Sequence, residues 1–238
     1  MSTAALKTIA CICVLLDNIG NLNGNLDLRI IGQLAYPISA FLIAKGYRRT
    51  RDIKKYALRL LVFALIAEIP YNLCFYGKPF NISEQNPLFA LLIGLGALYA
   101  ADYLMSTTGK WYAPFAAVCL GACFADMFHI FYGWQCVIRI GLFRAFERNL
   151  AKDKLLLTAC FLALWALQVV FSQDDLWVLF RGSFLLALIP IFLSKDARPV
   201  FAKKPTRGIG PPKALQYCFY AFYPVQLIAL FLIYGLGG

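Results

Sequence analysis

Histidine is almost absent from this chain of 238 residues: His129 is the only one. Tetrahedral zinc takes four nitrogen, sulfur or oxygen ligands, so one imidazole cannot complete a mixed cysteine–histidine centre. The eight cysteines do not supply the rest. Cys11 and Cys13 do not match zinc spacing, and nearly all eight fall inside apolar runs, where cysteine packs as a small hydrophobe. No metal site and no disulfide framework is expected. Charge is scarce as well, at 15% of residues, and acid is scarcer than base, with 12 Asp and Glu against 23 Lys and Arg. The GxSxG, HExxH and P-loop patterns are all missing, which removes the motif-bearing serine hydrolases, zincins and P-loop nucleotidases.

What the chain has instead is apolar sequence from end to end. Hydrophobic residues make up 61% of it, against roughly half in a soluble domain. The runs fall at about 5–22, 28–46, 56–75, 87–105, 112–131, 133–149, 155–172, 177–194 and 214–236. A bilayer core takes about 20 apolar residues per helix. The sequence therefore predicts an all-α, polytopic transmembrane helical bundle of about nine spans, forming a single integral membrane domain over residues 1–238. The first run resembles a signal peptide, but Asp17 interrupts it and no small-residue cleavage site follows, so a retained helix is expected. The sixth run is the weakest, because Arg139 and Arg144 fall within it, and is expected to be tilted or partly interfacial.

The formal net charge of +11 raises nucleic acid as a partner, but the basic residues sit in short loops between apolar runs. Phosphate tracking needs a solvated basic face, so no nucleic acid is expected, and membrane lipids are the expected surroundings. The stretch Lys45–Arg59 holds seven basic residues, residues 139–154 hold five and residues 195–213 hold six. Placing these inside with Lys7 and Lys110 puts 20 of the 23 Lys and Arg on the cytoplasmic side, leaving Arg29, Lys78 and Arg181 outside with Asp27, Glu84, Asp174 and Asp175. Alternation of this kind predicts the N-terminus inside and the C-terminus outside.

Ionisable groups within spans are costly in hydrocarbon, and each is a candidate for function. Asp17, Asn18, Glu68, Asn72, Asp126, His129 and Gln226 belong to this set, with Arg29 and Arg181 near helix ends. The topology gathers them toward one leaflet, as a common polar cavity would. Arg29 is the expected partner of Asp17, because a buried carboxylate needs a cation or loses its charge. His129 is a candidate general base, since imidazole titrates near neutral pH. For Arg29 and Arg181 the plainer reading is snorkelling to headgroups. For Pro37, Pro70, Pro114, Pro190 and Pro224 it is packing geometry.

The stretch "LRIIGQLAYPISAFLIAKGYRRTRDIKKYALRLLVFALIAEIPYNLCF", residues 28–75, closely resembles the TraX family. So do "LKTIACICVLLDNIG" in the first run, "NPLFALLIGL" at 86–95, "ADMFHIFYG" at 125–133 and "YAFYPVQLIAL" at 220–230. The positions that match are Asp17, Arg29, Gly32, Pro37, Gly46, Tyr47, Arg59, Glu68, Pro70, Asn86, Asp126, Tyr132 and Gly133. The resemblance implies a multi-helix membrane acetyltransferase in a bacterial plasma membrane, related to one that acetylates the N-terminus of pilin. It implies acetyl-CoA as donor, with Lys45, Arg48, Arg49 and Arg59 as candidate binders of its phosphates. The plainer reading of those four is the positive-inside bias alone. The catalytic candidates are then Asp17, Asn18, Glu68, Asp126, His129 and Gln226. The acceptor, whether a protein N-terminus, a glycan or a small molecule, is left open.

The chain departs from the family pattern at two places. Asn18 and Gln226 stand where the family carries histidine, and an amide cannot act as a base at neutral pH. The alternative is a non-catalytic carrier or scaffold on the same framework.

Overall fold

A computed structural model describes residues 1–146, 153–171, 182–194 and 213–235. They form α1 (Thr3–Asn23), α2 (Leu26–Gly32), α3 (Ala35–Arg49), α4 (Ile53–Tyr76), α5 (Leu88–Thr108), α6 (Ala113–Met127), α7 (Gly133–Ala145) and α8 (Lys154–Phe171). A 3-10 turn (Gly182–Ala187) leads into α9 (Leu188–Phe192), and α10 (Lys213–Leu230) ends in a π-helical turn (Phe231–Gly235). One isolated parallel bridge, Gln85 to Ile130, is the only sheet-like pairing among the described residues. Arg181 and the greater part of the basic connector, residues 195–212, lie outside the described residues.

Among the described residues, five helical stretches are long and apolar enough to cross a membrane: Thr3–Asn23, Leu26–Arg49, Ile53–Tyr76, Leu88–Thr108 and Tyr217–Gly235. The second is interrupted at Gln33 and Leu34, where the single run expected from sequence becomes α2 followed by α3. Ala113–Met127, Lys154–Val170 and Gly182–Phe192 are shorter apolar helices. The surface pattern of α4 is that of a lipid-facing helix. Leu61, Val62, Leu65, Ile66 and Ile69 are exposed, while Tyr56, Leu60, Ala64, Ala67 and Tyr71 are buried on the opposite stripe. Apolar side chains that water would penalise are cheap to leave exposed in hydrocarbon, where only the backbone must be satisfied internally.

The chain folds as two compact units, Met1–Leu42 with Ala145–Lys204, and Ile43–Arg144 with Pro205–Gly238. In the first, α1 packs on α2, and the Ser183 hydroxyl donates to the Ile30 carbonyl at 2.8 Å, fastening the 3-10 turn to α2. The N-terminal ammonium donates to the Leu193 carbonyl at 2.8 Å.

In the second unit, α5 packs on α4 and α6, and α10 on α4. Small residues make the contacts close: Ala90, Gly94, Ala97 and Ala101 line the buried face of α5. A side chain at Gly94 would run into Ile140 of α7, and one at Gly121 of α6 would come within 2.9 Å of the Ala97 methyl. Between membrane helices there is no hydrophobic drive, so such close approach and the dispersion it permits hold the bundle. The sixth run becomes α7, and Arg139 lies buried on it with its guanidinium donating to Gln135 Oε1 at 3.4 Å. Arg139 thus lies inside the protein rather than on its surface.

At one end of this unit, Arg144 donates to both carboxylate oxygens of Asp102, at 3.1 and 3.2 Å, and lies over the Tyr47 ring. The Tyr47 hydroxyl donates to Asp102 Oδ2 at 2.8 Å. This node joins α3, α5 and α7.

Candidate functional site

Two polar clusters contain the sequence candidates, one in each unit. In the first, Asp17 and Asn18 are both buried on α1. The Tyr36 hydroxyl donates to Asp17 Oδ2 at 3.1 Å, giving the carboxylate a neutral hydrogen-bond partner on α3. Gly32 of α2 lies directly against the Asp17 Cβ, and Gly20 of α1 lies against the Arg29 side chain and backbone. These approaches bring α1 and α2 together at the level of the two charged residues. Asn18 Nδ2 is buried with no hydrogen-bond partner among the described residues.

The second cluster is built around Glu68, about two-thirds of the way along α4. Its Oε1 accepts from Asn72 Nδ2, one turn on, at 3.2 Å. Its Oε2 accepts from both the backbone and the side-chain amide of Asn86. Three N–H donors thus converge on one carboxylate. Among the described residues no Lys or Arg forms a salt bridge with it. Asn86 also donates to the Ala64 carbonyl at 2.9 Å and accepts from Leu88 N at 3.0 Å, so it caps the first turn of α5 while facing α4.

The segment before Asn86 is pinned on two sides. Glu84 Oε2 accepts from the Tyr76 hydroxyl at 2.6 Å and from Tyr71 at 3.4 Å. Gln85 exchanges backbone hydrogen bonds with the turn after α6, accepting from Phe131 N and donating to the His129 carbonyl, each at 3.0 Å. That turn holds His129 at φ 50° and Tyr132 at φ 54°. Non-glycine residues reach this left-handed region at a cost, which tertiary packing must offset. Gly133 permits the return of the chain, since a Cβ there would sit 2.9 Å from the Ala125 carbonyl oxygen.

Gln226 lies on the buried stripe of α10, which packs along α4. Tyr220 stacks on Phe63 and reaches Tyr56, and Tyr223 lies near Tyr71. The two helices therefore run the same way. Asn72 and Gln226 each come two residues after a helix-interior proline, Pro70 in α4 and Pro224 in α10. Proline removes an i→i−4 bond and opens the helix locally. Asn72 Oδ1, Gln226 Oε1 and Gln226 Nε2 are buried without a hydrogen-bond partner among the described residues.

The side chains of Asp126 and His129 make no hydrogen bond to this node among the described residues, although the His129 carbonyl accepts from Gln85 N. Asp126 ends α6 and His129 lies in the strained turn, and both are exposed or nearly so, Asp126 on the helix surface and His129 at the turn. Lys45 is buried on α3, Arg48 and Arg49 are exposed on its last turn, and Arg59 lies over the Tyr56 ring at 5.9 Å. The two α3 arginines complement the negative end of the helix dipole. Sequence reasoning missed Glu84, Tyr71 and Tyr76 as partners. The signal for them was weak, since an outer-loop acid and two aromatic residues at a helix end look like interfacial anchors.

No solved structure matches this chain. A probable fimbrial assembly protein FimC, serogroup H1, from Dichelobacter nodosus is 28% identical over 243 residues, covering 96% of this chain and 94% of that protein. Residues 2–234 match the family model described as TraX protein, and the chain accordingly belongs to the TraX family.

Proposed function

We propose that this protein is a bacterial plasma-membrane acetyltransferase that passes an acetyl group from acetyl-CoA to an acceptor at or across the bilayer. The observation that carries this reading is the Glu68 node: a carboxylate within a span, held by three N–H donors, beside an amide oxygen that has no partner among the described residues. A carboxylate so fixed can orient an acceptor and take up its proton. The acceptor lone pair bonds to the acetyl carbonyl carbon, the C–S bond of the thioester breaks, and the acceptor proton ends on the departing CoA thiolate. Gln226 Nε2 is a donor for the oxyanion that forms between these events.

The finer topology belongs to the same reading: nine crossings, N-terminus in the cytoplasm and C-terminus outside. It places Lys45, Arg48, Arg49 and Arg59 at a cytoplasmic mouth, where they attract the CoA phosphates. Glu68 lies nine residues further along α4 than Arg59, roughly 14 Å of helix. The likeness to a fimbrial assembly protein supports a role in building or modifying a surface structure.

Purified protein incubated with labelled acetyl-CoA and candidate acceptors is expected to transfer label. Glu68→Gln is expected to lower the rate by about 10²–10⁴ if the carboxylate takes the proton. Absence of both transfer and a CoA-dependent thermal shift would overturn the reading. The presence of Asn18 and Gln226 at the family's histidine positions favours a second reading, a non-catalytic carrier or scaffold. If Asn18→His with Gln226→His creates transfer that the native chain lacks, the second reading stands.

A further inference from the structure

We infer that residues 77–85, in the connection between α4 and α5, form an interfacial anchor that lays Phe80 and Ile82 into the headgroup–acyl boundary of a phospholipid leaflet. The inference holds within the second unit and does not depend on the acetyl-transfer reading.

Phe80 is 78% exposed and Ile82 is 88% exposed. Burying such a side chain is worth about 1.5–3 kcal/mol, which a loop tip in water forgoes twice here. The two are not isolated. The Gln85–Ile130 bridge lays the segment alongside the turn after α6. Met127 and Phe128 are exposed there, and the rings of Phe124 and Phe128 lie 4.6 Å apart. A group of large apolar side chains at one end of the unit marks a surface that something covers.

Three observations favour lipid as the cover. The first is continuity: the group extends the exposed stripe of α6 that carries Phe115, Leu120 and Phe124. The second is depth. With 15 residues, α6 is about 22 Å long, against a hydrocarbon core of about 30 Å. At its start stand Trp111 and Tyr112, both exposed, with the Lys110 ammonium over the Tyr112 ring. Such amphipathic rings collect at a membrane interface. They fix one boundary at the start of α6, so the missing depth of about 8 Å falls at its end, beside Phe80 and Ile82. A polypeptide partner would require no match to bilayer depth.

The third observation is the backbone. Non-helical chain at a membrane surface must satisfy its polar groups with little water. Gln85 Nε2 donates to the Asn81 and Ile82 carbonyls, at 3.3 and 3.5 Å, and Ser83 N donates to Asn81 Oδ1 at 3.1 Å. Side chains flanking Ile82 thus take places that water holds in an ordinary loop. Lys78 is exposed two residues before Phe80, and its long stem lets the ammonium reach lipid phosphate. Asn86 follows directly, so the anchor also steadies the stretch of chain that holds Glu68.

The test uses the full chain in phosphatidylcholine nanodiscs, with isotope-labelled isoleucine δ1 methyl groups read by NMR. Ile82→Val removes the Ile82 signal and so assigns it. Line broadening is compared for a lipid carrying a nitroxide just below its headgroup, a lipid carrying it at the chain end, and a water-soluble gadolinium chelate. The Ile82 methyl is expected to be broadened about threefold more by the first than by either of the others, as befits a depth of about 5–10 Å into the boundary. Strongest broadening by the chelate would make the segment a water-facing loop and overturn the proposal. Strongest broadening by the chain-end nitroxide would place it in the hydrocarbon core and overturn it as well. Broadening by none of the three would mean that protein, from this chain or a second copy, covers Ile82, with the same consequence.

Discussion

Gly32 leaves α1 and α2 no room to part: an added methyl would overlap the Cβ and Cα of Asp17, and a backbone atom cannot swing aside. Gly32→Ala is therefore expected to destabilise by about 1–3 kcal/mol, the usual cost of overpacking, read as a lower midpoint in thermal unfolding. Asp102 makes more hydrogen bonds, to Arg144 and Tyr47, yet counts for less. The side chains of Arg144 and Asp102 are 30% and 49% exposed, and screened ion pairs contribute only about 0–1 kcal/mol. Asp102→Asn is expected to shift the same midpoint by less than Gly32→Ala does. Gly32 was legible as a small residue for close approach. The Tyr47–Asp102–Arg144 node was not, because Asp102 stands 42 residues from Arg144 and 55 from Tyr47, and nothing local announces the pairing.

Helix α4 shows how an element's ends and middle carry different information. Its N-cap is Asp52, whose Oδ1 accepts from Lys55 N at 3.0 Å and whose Oδ2 lies 3.2 Å from the Lys55 ammonium. The backbone and side-chain hydrogen bonds with Lys55 hold the Asp52 carboxyl below its ordinary value of 3.8. Its contribution to stability is therefore complete above that value and is lost as pH falls through the lower folded-state one. The Asp52 side chain is 45% exposed, so solvent screening keeps the effect small. Asp52→Asn keeps the cap acceptor but cannot titrate, and the acid limb of its unfolding curve is expected to be flatter than that of the native chain. Such caps can be read from sequence because they involve neighbours. The break between α2 and α3 could not be, since residues 28–46 are predominantly apolar and carry no helix stop before Gln33 other than Gly32.

For the whole molecule, the distribution of charge makes the sharpest prediction. With nine crossings, reporters active only in the cytoplasm are expected to light when fused after Thr50, Lys110 or Arg207 and to stay dark after Gly77 or the C-terminus. A cytoplasmic C-terminus would remove the nine-span arrangement. Among the described residues, five helical stretches meet the length and composition of a crossing by themselves. The remaining apolar helices are shorter, and a short helix crosses only where the bilayer thins or neighbours shelter its ends.

Composition and periodicity by themselves determined that this is a helical membrane protein, and its motifs that it is of the TraX kind. The spacing of apolar residues and loop charges follows directly from the bilayer's thickness and polarity, which act on each segment separately. Only the tertiary structure decided which polar groups meet. It joined Glu68 to Asn72 and Asn86, tied Glu84 to Tyr71 and Tyr76, and left the side chains of Asp126 and His129 exposed. The reason is physical: a polar side chain within a span must find its partner on another helix or loop. Which one it finds depends on helix rotation and on approaches as close as those at Gly32 and Gly94, neither of which is encoded in any one stretch of chain.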